Sequence, residues 1–134
     1  GKEFKTLVVE DNPVNLKVIQ LALRKLGISI DSASDGKKAL ELMNKSRYDL
    51  IFMDIQMPEM DGLTATREIR KRFPEEQQPF IIALTAHALN DHVQQCRNVH
   101  MNGFLAKPFT NSGLVEVLEL FLKKREADWR ISYF

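Results

Sequence analysis

Short apolar runs alternate along this chain with longer segments in which apolar side chains return every three or four residues. The runs are Thr6-Leu7-Val8-Val9, Leu50-Ile51-Phe52-Met53, Phe80-Ile81-Ile82-Ala83-Leu84 and Phe104-Leu105-Ala106. The first three are near-continuous and rich in branched or aromatic residues, as strands covered on both faces of a parallel sheet are. Ile28 to Ala33 is half polar and reads as an edge strand. Helical spacing predicts helices over Pro13 to Leu26, Lys37 to Lys45, Leu63 to Phe73, Asn90 to Met101 and Asn111 to Arg125. Asn12, Pro13 and Gly27 supply a cap, a first-turn residue and a stop for the first of these. Leu114, Leu118 and Phe121 form one stripe on the last. Strand and helix alternate five times, which predicts one α/β domain with a parallel sheet and right-handed crossovers.

Composition agrees with a single packed domain. The chain has 134 residues, 44% hydrophobic and 28% charged, enough to bury a core. Lys and Arg total 19 against 18 Asp and Glu, a formal net charge of +1. That balance gives no global electrostatic case for nucleic acid or for an acidic membrane surface. No apolar run approaches the roughly 20 residues that span a bilayer, and no signal-peptide pattern opens the chain. The single cysteine, Cys96, has no internal disulfide partner, which fits a reducing compartment. The chain opens Gly-Lys-Glu without Met, as an excised piece of a longer protein would. Residues 126–134 lack a period and read as a tail packed on the domain or the start of a linker.

The chemistry collects at the strand ends, where open α/β sheets bind their ligands. The first strand delivers Glu10-Asp11, the third Asp54, the fourth Thr85, and the fifth Lys107-Pro108. The edge strand delivers Ser34-Asp35. Taken singly, each has an ordinary explanation: an acidic pair at a helix start, a turn residue, a back-bonded hydroxyl, a solvated lysine. Their convergence on one rim favours a site. Two carboxylates about 4 Å apart repel by roughly 4 kcal/mol at an effective dielectric near 20. Either one of them protonates or a cation sits between them. Hard carboxylate oxygens suit Mg²⁺. A lysine, a hydroxyl and Mg²⁺ facing one carboxylate suit phosphoryl transfer onto that carboxylate.

Glu10-Asp11, Asp54 within Met53-Asp-Ile-Gln-Met-Pro-Glu-Met-Asp-Gly62, Thr85-Ala86 and Lys107-Pro108 together resemble the receiver domain of two-component response regulators. The resemblance covers residues 4–125 in order. It implies a (βα)5 doubly wound, flavodoxin-like parallel sheet of order 2-1-3-4-5. It implies that Asp54 is the phosphoacceptor, and that Glu10, Asp11, Asp54 and the backbone carbonyl of Gln56 hold Mg²⁺. It implies that the Thr85 hydroxyl, the Ala86 amide and Lys107 contact the phosphoryl group, and that the Lys107-Pro108 bond is cis. Phe104 falls at the aromatic switch position, coupled to Thr85; lacking a hydroxyl, it is without the polar contact that a tyrosine there makes.

Asp11-Asn-Pro-Val-Asn15 and Thr85-Ala-His-Ala88 resemble receivers attached to hybrid sensor histidine kinases. The implied partners are a histidine kinase core and a histidine phosphotransfer protein. The domain is then expected to be cytoplasmic, tethered to a membrane-bound parent kinase without itself touching the membrane. It is expected to be a monomer in isolation and not an enzyme beyond its own phosphorylation and hydrolysis. His87 and His92 lie near the rim and are expected to face solvent or a partner. A dehalogenase-type phosphatase needs a second acid two residues after Asp54, and Gln56 stands there. No glycine-rich nucleotide loop is present. A receiver that only binds protein, without phosphorylation, is the remaining alternative. On a helical wheel of Pro13 to Leu26 the apolar arc exceeds what one sheet face covers. The Val14, Asn15, Val18 and Leu21 margin is therefore expected to dock a partner helix.

Overall fold

The computed structural model describes residues 4–86 and 90–126; His87 and the tail's Trp129, Tyr133 and Phe134 lie outside the described residues. Five strands, β1 (Thr6–Val9), β2 (Ile30–Ala33), β3 (Leu50–Asp54), β4 (Phe80–Thr85) and β5 (Gly103–Ala106), alternate with α1 (Pro13–Lys25), α2 (Gly36–Lys45), α3 (Gly62–Arg72), α4 (Asn90–Asn98) and α5 (Asn111–Arg125). The strands form one parallel sheet in the order β2-β1-β3-β4-β5, as expected. The half-polar run is the edge strand β2, which begins at Ile30 and leaves Asp31 and Ser32 exposed.

Alternation along the central strands divides the core in two. Leu7, Val9, Ile51, Met53, Ile81 and Ala83 pack with Ala39, Leu40 and Met43 of α2, Ala65 and Ile69 of α3, and Cys96 of α4. Burial pushes the Cys96 thiol pKa up. Val8, Leu50, Phe52, Phe80, Ile82 and Leu84 pack with Ile19 and Leu23 of α1 and with Leu114, Leu118 and Phe121 of α5. Phe121 meets Phe80 edge to face, with ring centroids 5.4 Å apart, an arrangement that favours aromatic quadrupoles.

Helix ends follow local chemistry. The Asn12 side chain accepts from the Val14 and Asn15 amides. Asp35, Asp61 and Thr110 cap α2, α3 and α5 in the same way, each satisfying an otherwise orphaned N–H. Gly27, at φ +83°, turns the chain out of α1. α4 stops at Asn98, three residues before the expected end. His100 takes a left-handed φ of +66°, and the Met101 amide closes the turn on the Cys96 carbonyl. Between α3 and β4, Glu75–Gln77 forms a single 3₁₀ turn.

At the pole opposite the strand ends, Arg70 of α3 spends all five guanidinium N–H groups. Nε and Nη2 donate to the His100 carbonyl, Nη1 to Gln78 Oε1 and the Pro79 carbonyl, and Nη2 also to Asn102 Oδ1. Asn102 Oδ1 accepts in addition from the Ile81 amide. This clamp joins the end of α3 to the starts of β4 and β5.

Candidate functional site

Parallel strands all end on the same rim, so four of them deliver their next residues to one place. Asp54, the last residue of β3, is 2% exposed. Its Oδ1 accepts from the Gln56 amide at 3.0 Å and its Oδ2 from Lys107 Nζ at 3.0 Å. Lys107 Nζ also lies 3.0 Å from Glu10 Oε1. The other Glu10 oxygen accepts from the Asn12 amide at 3.2 Å. Lys107 is positioned by its own amide, which donates to the Thr85 carbonyl at 2.7 Å, and the Lys107-Pro108 bond is cis. Thr85 is buried at the end of β4, with Ala86 exposed beside it.

Glu10, Asp11 and Asp54 each offer a carboxylate oxygen, and these oxygens lie within 4.8 Å of one another. Asp11 is exposed, whereas Glu10 and Asp54 are buried. Burial first, and then Asp54 beside it, push the Glu10 carboxyl pKa up to about 7 from its ordinary 4.5; the hydrogen bond from Lys107 opposes this without reversing it. Burial alone would lower the Lys107 pKa; the hydrogen bonds to Glu10 and Asp54 and the charges behind them outweigh it and hold the ammonium above its ordinary value. One ammonium among three carboxylates leaves a surplus of negative charge. All three donors are hard oxygens, so the cluster fits a divalent cation such as Mg²⁺.

Between pH 4.5 and about 7 the folded chain holds the Glu10 proton more tightly than the unfolded chain. Without metal, this contribution to stability is complete below pH 4.5 and is lost as pH rises through about 7, at up to about 1.4 kcal/mol per pH unit. A divalent cation held by this cluster would compete with that proton, so its stabilisation should grow over the same interval and then level off. Thermal unfolding with and without 10 mM Mg²⁺ is expected to differ more at pH 8 than at pH 5.5. An equal difference at both would separate Glu10 from the metal.

The segment after β3 folds back tightly. The Gly36 amide donates to the Met60 carbonyl, and Glu59 takes φ +64°. A Cβ on Gly62 would lie 2.1 Å from the Asp54 carbonyl oxygen. The absence of a side chain there lets α3 start against the backbone of Asp54. The sequence pattern does not reveal this contact, whose other half lies eight residues earlier in the chain. Nor does it reveal the Asn12 amide as a partner of Glu10.

The remaining expected residues divide clearly. Phe104 is 37% exposed on β5. His92 is half-buried on α4. Val14, Val18 and Leu21 are 70%, 51% and 43% exposed, and Asn15 is exposed beside them. The apolar margin of α1 is therefore uncovered in the isolated domain.

The strand order and the acidic strand-end cluster define a flavodoxin-like (βα)5 domain. Residues 6–119 match the response regulator receiver domain model, and the chain belongs to that family of two-component signalling. It is 43% identical over 118 residues to the aerobic respiration control sensor protein ArcB of Escherichia coli K12, covering 88% of this chain and 15% of ArcB. It is 42% identical to the receiver domain of the sensor histidine kinase PA1611 from Pseudomonas aeruginosa PAO1. That likeness has a TM-score of 0.80 and covers 90% of this chain and 98% of that one. The PA1611 receiver carries a magnesium ion coordinated in its active-site cleft. The receiver domain of the Saccharomyces cerevisiae response regulator Ssk1, in complex with the histidine phosphotransfer protein Ypd1, is 28% identical with a TM-score of 0.82, covering 92% of this chain and 91% of that one. The chain thus spans a small part of its longer relative and nearly all of each isolated receiver.

Proposed function

We propose that this chain accepts a phosphoryl group on Asp54 from a phosphohistidine and relays a conformational signal from it. The observation that carries this is the setting of the Asp54 carboxylate. It is buried at a strand end, held by Lys107 Nζ and the Gln56 amide, with Glu10 and Asp11 oxygens within 4.8 Å. In the transfer, an Asp54 oxygen attacks phosphorus. A P–O bond forms, the P–N bond to the donor imidazole breaks, and the ring nitrogen keeps the electron pair and takes up a proton. Lys107 neutralises charge on the transferring group. The Thr85 hydroxyl and the Ala86 amide donate to the phosphoryl oxygens. Glu10, Asp11, Asp54 and the Gln56 carbonyl would hold Mg²⁺, which when bound supplies positive charge at the phosphoryl oxygens.

Thr85 and Phe104 form the switch: once the phosphoryl group draws the Thr85 hydroxyl toward it, the space vacated takes the Phe104 ring. Residues 4–125 are the receiver and 126–134 a tail or linker. Likeness to the receivers of ArcB and PA1611 supports a parent hybrid histidine kinase; the domain itself is read as cytoplasmic and monomeric. Likeness to the Ypd1-bound Ssk1 receiver supports a histidine phosphotransfer partner, docked over Val14, Asn15, Val18 and Leu21. As an isolated domain the chain turns over no separate substrate and is not an enzyme. Beryllofluoride with Mg²⁺ mimics the phosphoryl group and tests the reading directly. Amide shifts at Asp54, Thr85 and around Phe104 are expected. A spectrum unmoved by the pair would make this domain a protein-binding module that is never phosphorylated.

A further inference from the structure

The charge of this chain is even in total but not in place. Every strand starts, and every helix ends, at the pole opposite the rim that carries Asp54. Segments 4–5, 24–31, 45–50, 70–80, 97–103 and 123–126 therefore meet there. They hold twelve Lys and Arg against five Asp and Glu. All of the twelve except Arg70 and Lys124 are exposed. At the rim, segments 10–13, 34–38, 54–62 and 107–113 hold six Asp and Glu against three Lys. Cations at helix ends have an ordinary explanation, since each helix C-terminus carries a charge of about −0.5. Five such ends offset about 2.5 charges, less than half of the basic pole's surplus of seven. Two large apolar side chains stand in the same place. Leu26, the residue after α1, and Leu122, in the last turn of α5, are each 47% exposed. Arg24 and Lys25 precede the first, and Lys123, Lys124 and Arg125 follow the second.

We infer that this basic pole seats on an anionic lipid surface. The lysines and arginines meet the headgroups, and Leu26 and Leu122 enter the boundary between headgroups and acyl chains. Lysine and arginine beside exposed leucine is the combination that holds amphipathic helices in the headgroup layer. The negative potential of such a surface acts on basic residues within about a Debye length, roughly 8 Å at physiological salt. The uneven charge then sets the orientation. The six residues of β4 rise about 20 Å from pole to rim, so the rim carboxylates lie beyond that potential and the rim faces away from the lipid. A nucleic acid would satisfy the positive charges and gain nothing from the two leucines. The even total charge conceals this asymmetry, which is why overall balance gives no case for a membrane surface. The inference goes beyond the phosphoacceptor reading and stands whether or not Asp54 takes phosphate.

The test is co-sedimentation of the full chain with vesicles of phosphatidylcholine, alone or with about one-third phosphatidylglycerol. Binding is expected to the anionic vesicles only, and raising the salt from about 0.1 M to about 0.5 M should weaken it at least tenfold. Each lysine or arginine near such a surface is worth about a fivefold change in binding. The paired substitutions Arg24→Glu with Lys25→Glu, and Lys45→Glu with Arg47→Glu, should therefore each weaken binding at least tenfold. Lys37→Glu with Lys38→Glu, at the rim, should move it less than threefold. Leu26→Ser should weaken vesicle binding at least threefold and leave binding to a DNA duplex unchanged. Circular dichroism checks the fold of each variant, and Arg24→Gln with Lys25→Gln replaces the first pair should the reversal unfold α1. Absence of binding to the anionic vesicles overturns the proposal, as does an equal fall for the rim pair. So does a DNA duplex bound as tightly as the vesicles, with Leu26→Ser affecting neither.

Discussion

Asp54→Asn is expected to abolish labelling by acetyl phosphate while leaving the fold intact. A carboxamide oxygen is not a usable nucleophile toward phosphorus, so the loss should reach the detection limit. The fold survives because an asparagine at this position still accepts the Gln56 amide that now reaches Asp54 Oδ1. Lys107 keeps its partner in Glu10, 3.0 Å away. The substitution also reports on the site's electrostatics. Asp54 is among the causes that raise the Glu10 pKa, behind burial. With that charge gone, Glu10 should titrate below about 7 yet still above 4.5, because the larger cause remains. Carboxyl NMR of Glu10 in the two proteins checks the shift. Stoichiometric label on the asparagine variant would remove Asp54 as the acceptor.

Gly62→Ala is expected to damage stability and phosphorylation together. Its added carbon would stand 2.1 Å from the Asp54 carbonyl oxygen and 2.9 Å from Ile55 Cα. Those are backbone atoms of the last residue of a central strand and of the residue after it, with no flexible side chain to give way. Overpacking of this kind costs about 1–3 kcal/mol, occasionally more, and here the displaced atoms belong to Asp54, the proposed acceptor. Gly113→Ala is the control. Its added carbon would meet only the tips of Leu105 and Thr110 side chains at 3.2 Å, so a change of about 1 kcal/mol or less is expected. Urea midpoints and acetyl phosphate labelling rates should fall for the first and hold for the second. Normal labelling in Gly62→Ala would mean that the Asp54 backbone tolerates displacement.

What the sequence made legible follows from the architecture. A parallel sheet covered on both faces writes its strands as apolar runs, and the residue after each run must emerge on the same rim. Glu10, Asp54, Thr85 and Lys107 were therefore identifiable before any coordinates. The exposed margin of α1 was legible for the same reason, since one sheet face covers only part of so wide an apolar arc. What stayed hidden depends on contacts between distant parts of the chain. α4 ends early because His100 adopts a left-handed turn that only Asn or Gly would have announced. The five bonds of Arg70 reach residues 78, 79, 100 and 102, and nothing local marks that arginine apart from its neighbours Lys71 and Arg72. The cavity beside Lys107 draws its walls from α1, β4 and the turn after β5, and no single segment contains its shape.

The all-parallel strand order also governs how the chain assembles. No two neighbouring strands are joined by a hairpin, and β1 pairs with β3 from Thr6 to Leu50 while β2 is held at the edge. Each pairing closes a long loop before it is rewarded, which slows folding relative to local topologies. The outermost of these closures sets β5 on β4, and only then does Lys107 reach Glu10 and Asp54. A fragment that stops short of β5 lacks Lys107 and can bring together only the carboxylates of Glu10, Asp11 and Asp54. On the proposed reading, acetyl phosphate labelling during synthesis should therefore begin only once the chain is complete through Lys107 and β5 has joined β4.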